Sequence, residues 1–174
     1  MRTERSPRCG EREAEAIFLS NALVYSLGLC AVSLALEGFC AGGGIRQRLA
    51  ELRTSLYMPP LWGWIVIGLF YYVMCFAVLY RLFSLPPSTA WRNPGLGLVT
   101  ALMLTNAFWN FFFFRTQNLL HVFLIGLAYT AVAIALFCLL LRLDRTAALW
   151  LAPYLLYLCF ANWWGYKVWK LNPL

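Results

Sequence analysis

Residues 119–141, LLHVFLIGLAYTAVAIALFCLLL, run for 23 positions without a charged side chain. A helix rising about 1.5 Å per residue crosses the roughly 30 Å hydrocarbon core of a bilayer in about 20 residues. A stretch of that length with no polar face has no place on the surface of a soluble domain. Around it no Asp or Glu occurs between Glu51 and Asp144, and four more apolar runs of similar length fall at 17–36, 61–83, 95–114 and 147–164. The expectation is an all-α membrane protein: a compact bundle of five transmembrane helices at about 17–36, 61–83, 95–114, 119–141 and 147–169. Residues 1–15 read as a charged N-terminal tail and 16–174 as the membrane domain.

Composition points the same way, with 62% hydrophobic and 12% charged residues and a mean hydropathy of +0.68. The first apolar run follows a head that mixes Arg2, Arg5, Arg8 and Arg12 with Glu4, Glu11, Glu13 and Glu15. It is too long for the core of a secretory signal, so a retained helix is expected. The net charge of +7 is spread over short clusters between the runs, which suits headgroup contact and topology rather than nucleic acid. The bias of Lys and Arg between alternate connectors is too small to fix orientation. Three connectors are very short, so sequential helices are expected as antiparallel neighbours. Only the first, 39–60, is long enough to fold over the bundle as a lid.

Six cysteines without CxxC spacing, one His and no clustered carboxylates give no metal site and no catalytic set. Glu37, closing the first run, reads as interfacial, and His121 as interfacial in preference to an axial haem ligand. No acid lies inside the later runs, so a carboxylate proton relay is not expected. Most of the eight tryptophans lie near run ends, where an aromatic belt accounts for them. Trp109 lies well inside the third run. There Asn106, Trp109, Asn110 and Phe113 follow i, i+3, i+4, i+7 spacing and share one face. Lipid offers two amides and an indole no partners, so this face meets protein or a cavity. Interhelical hydrogen bonding and ligand binding both explain it. Tyr157, Ala161 and Trp164 repeat the spacing on the fifth run. Ala161 there either leaves room for a flat molecule between aromatic walls or serves ordinary helix packing.

Three blocks carry a family resemblance over roughly 52–173: LRTSLYMPPLW at 52–62, NAFWNFFFF at 106–114 and PYLLYLCFANWWGYKVWKLNP at 153–173. They resemble the TspO/translocator-protein family, also called tryptophan-rich sensory proteins or peripheral benzodiazepine receptors. The resemblance implies five membrane helices, a homodimer, and a pocket for porphyrins, other tetrapyrroles and, in some members, sterols or benzodiazepine-type drugs. It implies a mitochondrial or bacterial outer membrane. It puts Asn106, Trp109, Tyr157, Ala161 and Tyr166 at or near the pocket, with Pro59, Pro60 and Trp62 shaping its mouth. The chain departs from the family pattern at Gly68, where Trp is common, at Leu102 for Gln and at Gly165 for Asn, and His121 falls near a usual Trp. Losing an indole and two amides enlarges the cavity and makes it less polar. The sterol-recognition pattern fails at Tyr166, since 160–164 contain neither Leu nor Val, so a sterol-like ligand enters only through the resemblance.

The functional expectation is a bilayer-embedded receptor or carrier, with no required cofactor, for a flat hydrophobic ligand such as a porphyrin or haem-like tetrapyrrole. An enzyme promoting photo-oxidative breakdown of that ligand and a purely structural or regulatory membrane protein are the alternatives. No broken, duplicated halves indicate alternating access.

Overall fold

The computed structural model describes residues 9–43, 45–53, 59–116 and 118–172. Six helices account for nearly all of them: α1 (Cys9–Ala41), α2 (Ile45–Glu51), α3 (Leu61–Phe83), α4 (Arg92–Arg115), α5 (Leu119–Leu143) and α6 (Arg145–Leu171). No strand occurs among the described residues. The part of α1 from Glu15 to Ala41, together with α3, α4 and α5, is long and apolar enough to cross a membrane. The fifth expected span, α6, has the length but is less apolar, because Pro153, Asn162 and the Trp and Tyr residues of 147–164 dilute its aliphatic side chains.

Two expected boundaries move. The first helix extends from Cys9 to Ala41 instead of 17–36, so the second half of the charged tail is helical. The reason is that Glu, Ala and Arg propagate a helix as readily as the apolar run does. The first connector is not a plain loop either, since α2 occupies its centre.

α1 packs on α4 and α3, α4 on α5, α5 on α6, and α6 closes back on α3. The closely linked pairs α3/α4, α4/α5 and α5/α6 are neighbours, as short links require. Antiparallel order brings the C-terminal halves of α3 and α5 beside the N-terminal halves of α4 and α6. That end is packed solid by Met74, Val78, Leu79, Leu82, Val99, Leu102, Leu136, Leu140 and Leu151. Gly95 admits the close approach there: an added Cβ would lie 3.3 Å from Leu139 and 3.4 Å from Leu82. At the opposite end small and aromatic residues replace the aliphatics.

Several basic residues of the connectors also hold helix ends, a use that the sequence did not show. Arg115 donates from Nη2 to Phe39 O (2.7 Å) and from Nε to Cys40 O (3.0 Å), capping α1. Gly42 follows at φ +66°, a left-handed helix terminator, and a Cβ there would lie 2.9 Å from the Arg115 guanidinium. Arg92 Nε donates to Leu82 O (3.0 Å) at the end of α3. Buried carbonyls at helix ends need donors, and an Arg on the neighbouring helix supplies several in one fork. At the α5–α6 junction the Asp144 carboxylate caps α6 through Thr146 N (2.9 Å) and Ala147 N (3.2 Å) and pairs with Arg81.

Candidate functional site

The loosely filled end of the bundle contains a cavity of about 220 Å³. Its walls come from the N-terminal half of α3 (Leu61, Trp64, Ile67, Gly68, Tyr71), the C-terminal half of α4, the first half of α5 and α6 from Tyr154 to Gly165. Ile45 and Leu49 of α2 lie across it, and Glu37 enters from α1. Part of the cavity's space comes from small residues set among the large ones, Gly68, Ala161 and Gly165. An added Cβ at Gly68 would meet nothing within 4 Å, and one at Gly165 would only touch Phe123 at 3.9 Å.

The walls are aromatic. Trp109 stacks on Phe113, centroids 4.8 Å apart and planes within 8°, as i, i+4 spacing on α4 dictates. Phe113 leans on Trp164 at 5.9 Å, and Trp164 meets Trp64 edge-on at 5.1 Å. Toward the packed end Tyr71, Tyr154 and Tyr157 form a second group, with centroids 5.3 and 5.4 Å apart along the series. The Tyr129 and Tyr154 hydroxyls share a hydrogen bond of 2.8 Å.

Polar groups are few and distinct. Asn106 Nδ2 donates to Glu37 Oε1 at 2.6 Å, and Asn110 Nδ2 to the Asn106 carbonyl at 3.0 Å. Asn162 Nδ2 donates to Thr130 Oγ1 (2.7 Å) and Leu158 O (2.9 Å), tying α6 to α5 beside Gly126. The buried Trp64 and Trp164 indole N–H groups and the Tyr71 hydroxyl have no hydrogen-bond partner among the described residues.

Two sets of bonds position the rim. Arg48 of α2 directs its guanidinium at Phe113 O and Thr116 O, each 3.4 Å away. After α2, Arg53 N donates to Asn172 Oδ1 and Asn172 Nδ2 to Arg53 O, both at 2.8 Å. A small polar recess bounded by Arg48, Glu51, Arg115 and Thr116 adjoins the cavity through Phe114.

Of the residues singled out in the sequence, Asn106, Trp109, Asn110, Phe113, Tyr157, Ala161 and Trp164 line the cavity. Tyr166 does not: it is 41% exposed and packs on Phe123 and Trp169. Trp62 is 69% exposed on the outside, Pro59 and Pro60 are outside the lining, and Leu61 and Trp64 take the place expected of them. The helical turn explains the substitution, because Trp64 is two positions, about 200°, round from Trp62. Leu102 is fully buried in the packed end, so its departure from the family pattern does not alter the cavity. His121 is exposed, and its backbone N–H donates to Asn118 at the α5 cap.

Glu37, Gly126 and Asn162 are wall residues that sequence reasoning missed. Glu37 looked interfacial because the apolar run stops beside it. The helix runs on for another turn and packs on α3 and α4, which turns that carboxylate inward. Asn162 lies one position, about 100°, round from Ala161 and so off the Tyr157, Ala161, Trp164 stripe, and only the packing of α6 on α5 brings it to the wall.

Among the described residues no group of three or more His, Cys, Asp or Glu side chains comes together to hold a metal. No individual curated protein matches this chain. A family model, described as TspO/MBR family, matches residues 26–170, most of its length. Together with the apolar helices, this match makes the protein a multi-pass integral membrane protein of a binding or transport type, and the chain belongs to the TspO/MBR family.

Proposed function

We propose that the chain holds or carries a flat, mostly apolar ligand, a porphyrin or related tetrapyrrole, in this cavity, inside a bilayer that five helices cross. The observation that carries the reading is the aromatic wall Trp109–Phe113–Trp164–Trp64 around open space at Gly68 and Gly165. Ring systems gain affinity by burying their faces against such walls, and a few amides fix their orientation. α6 counts as the fifth span because it packs along both α3 and α5, which are apolar enough to cross.

The cavity volume of about 220 Å³ is below the roughly 300–1,000 Å³ of typical small-molecule pockets. A ring as wide as a porphyrin therefore enters edge first, with its carboxylates left at the rim beside Arg48 and Arg115. Full entry displaces Ile45 and Leu49, which makes α2 the moving part.

The test is a protoporphyrin titration of detergent-purified protein, read by Trp fluorescence quenching, in parallel with an Asn106→Ala, Trp109→Phe double variant. Saturable binding that weakens in the variant is expected. No saturable binding, or equal affinity in both proteins, overturns the reading.

A further inference from the structure

Glu37 has no part in holding an apolar ring, yet it lines the cavity from α1. It is the one acidic side chain in the cavity wall among the described residues. Its carboxylate accepts from Asn106 Nδ2 at 2.6 Å, and no ion pair reaches it among the described residues. The neighbouring Tyr72 hydroxyl faces the same carboxylate as a second neutral donor. An ionised carboxylate accepts at about four positions, and a neutral amide and a neutral phenol supply at most two donors and no charge. In a water-poor site that leaves a strong demand for a cationic donor.

Charge around the site is divided. Arg48 and Arg115 stand at the rim, with their guanidinium groups turned to backbone carbonyls of α1 and α4 and of the connector after α4. Glu37 lines the same cavity as the rings of Tyr71, Trp109 and Tyr157. A carboxylate beside aromatic rings is the chemistry that receives an organic cation: the carboxylate takes its N–H and the ring quadrupoles attract its charge.

We infer that the cavity takes flat aromatic molecules carrying a protonated nitrogen, an amine or amidine, as a ligand class of its own, with the N–H directed at the Glu37 carboxylate. The inference rests on reading this space as a ligand cavity, not on tetrapyrroles as its occupant. It also gives an anionic tetrapyrrole one favoured direction, since carboxylates beside Glu37 would meet like charge while those at the rim meet guanidinium groups.

A matched pair of dyes tests it: 9-aminoacridine, cationic at neutral pH, and acridine, neutral and with the same ring system. Each is titrated into the full chain in uncharged detergent, as wild type, Glu37→Gln and Glu37→Asp. Wild type is expected to bind 9-aminoacridine at least about tenfold more tightly than acridine, the scale of one charge-assisted hydrogen bond. Glu37→Gln should erase that preference while acridine affinity barely changes, and Glu37→Asp should keep part of it. Equal affinities in wild type, absence of saturable cation binding, or a preference that survives Glu37→Gln overturns the inference. Should Glu37→Gln fail to give helical, monodisperse protein, Asn106→Ala decides: it keeps the charge and removes one neutral partner, so a retained preference supports the inference and a lost one refutes it. Protoporphyrin titrated in the same series reports separately, so a chain that binds the amine but not the porphyrin refutes the tetrapyrrole reading alone.

Discussion

Filling the cavity from Gly68 should raise stability and lower affinity at once, two changes that a damaged fold cannot produce together. Gly68 lies mid-helix in α3, on the cavity wall, with nothing within 4 Å of an added Cβ. Gly68→Leu removes a helix-interior glycine, worth about 1 kcal/mol, and buries new apolar surface for up to about 1 kcal/mol more. A gain of about 1–2 kcal/mol corresponds to roughly 3–6 °C in thermal midpoint for a chain of this size. The same side chain takes the place of a ligand edge. If it denies a ring about 80 Å² of apolar contact, at about 25 cal/mol per Å² the loss is about 2 kcal/mol, or about thirtyfold in affinity. Thermal melts and protoporphyrin titrations of the two detergent-purified proteins measure both quantities. Unchanged affinity would mean that the ligand does not lie against residue 68. A lower midpoint would mean that the space beside Gly68 is not there.

Tyr154→Phe removes one partner of the Tyr129–Tyr154 hydroxyl pair and leaves the other buried without it, so stability should fall by about 1 kcal/mol; a double-mutant cycle with Tyr129→Phe should recover most of that loss. Asn172→Ala breaks both bonds that dock the chain after α2 onto the end of α6, and should speed ligand release about tenfold, the kinetic equivalent of one or two net hydrogen bonds; stopped-flow release rates equal to wild type would remove α2 and its flanks from gating. Partial burial raises the Asp144 carboxyl, but Arg81 and the α6 backbone N–H groups outweigh it and hold the group below its ordinary value of 3.8. A carboxyl lowered in the folded state adds stability that is complete above the unfolded value and disappears as pH falls through the folded one. Asp144→Asn, which preserves a capping oxygen, should therefore melt below wild type at neutral pH and approach it as the solution becomes strongly acid.

The membrane class, the long helices and the cavity-facing side of α4 could all be read from the chain itself. Hydrocarbon imposes one rule on every residue it touches, so the charge-free stretch at 119–141 and the i, i+3, i+4, i+7 spacing from Asn106 to Phe113 carry their meaning locally. The same holds for Tyr157, Ala161 and Trp164, whose spacing keeps them on one side of α6 whatever packs against it. Tertiary structure decided what local periodicity does not contain: which face of α3 turns inward, and therefore Trp64 in place of Trp62, and that Tyr166 points away while Leu102 belongs to the packed end. It also decided the use of charge, because Arg92 and Arg115 find carbonyls only where a neighbouring helix happens to end. Glu37 is the plainest case. Its place at the close of an apolar run is a property of sequence, but its position on the cavity wall follows from the helix continuing to Ala41 and lying against α4, where Asn106 is within reach.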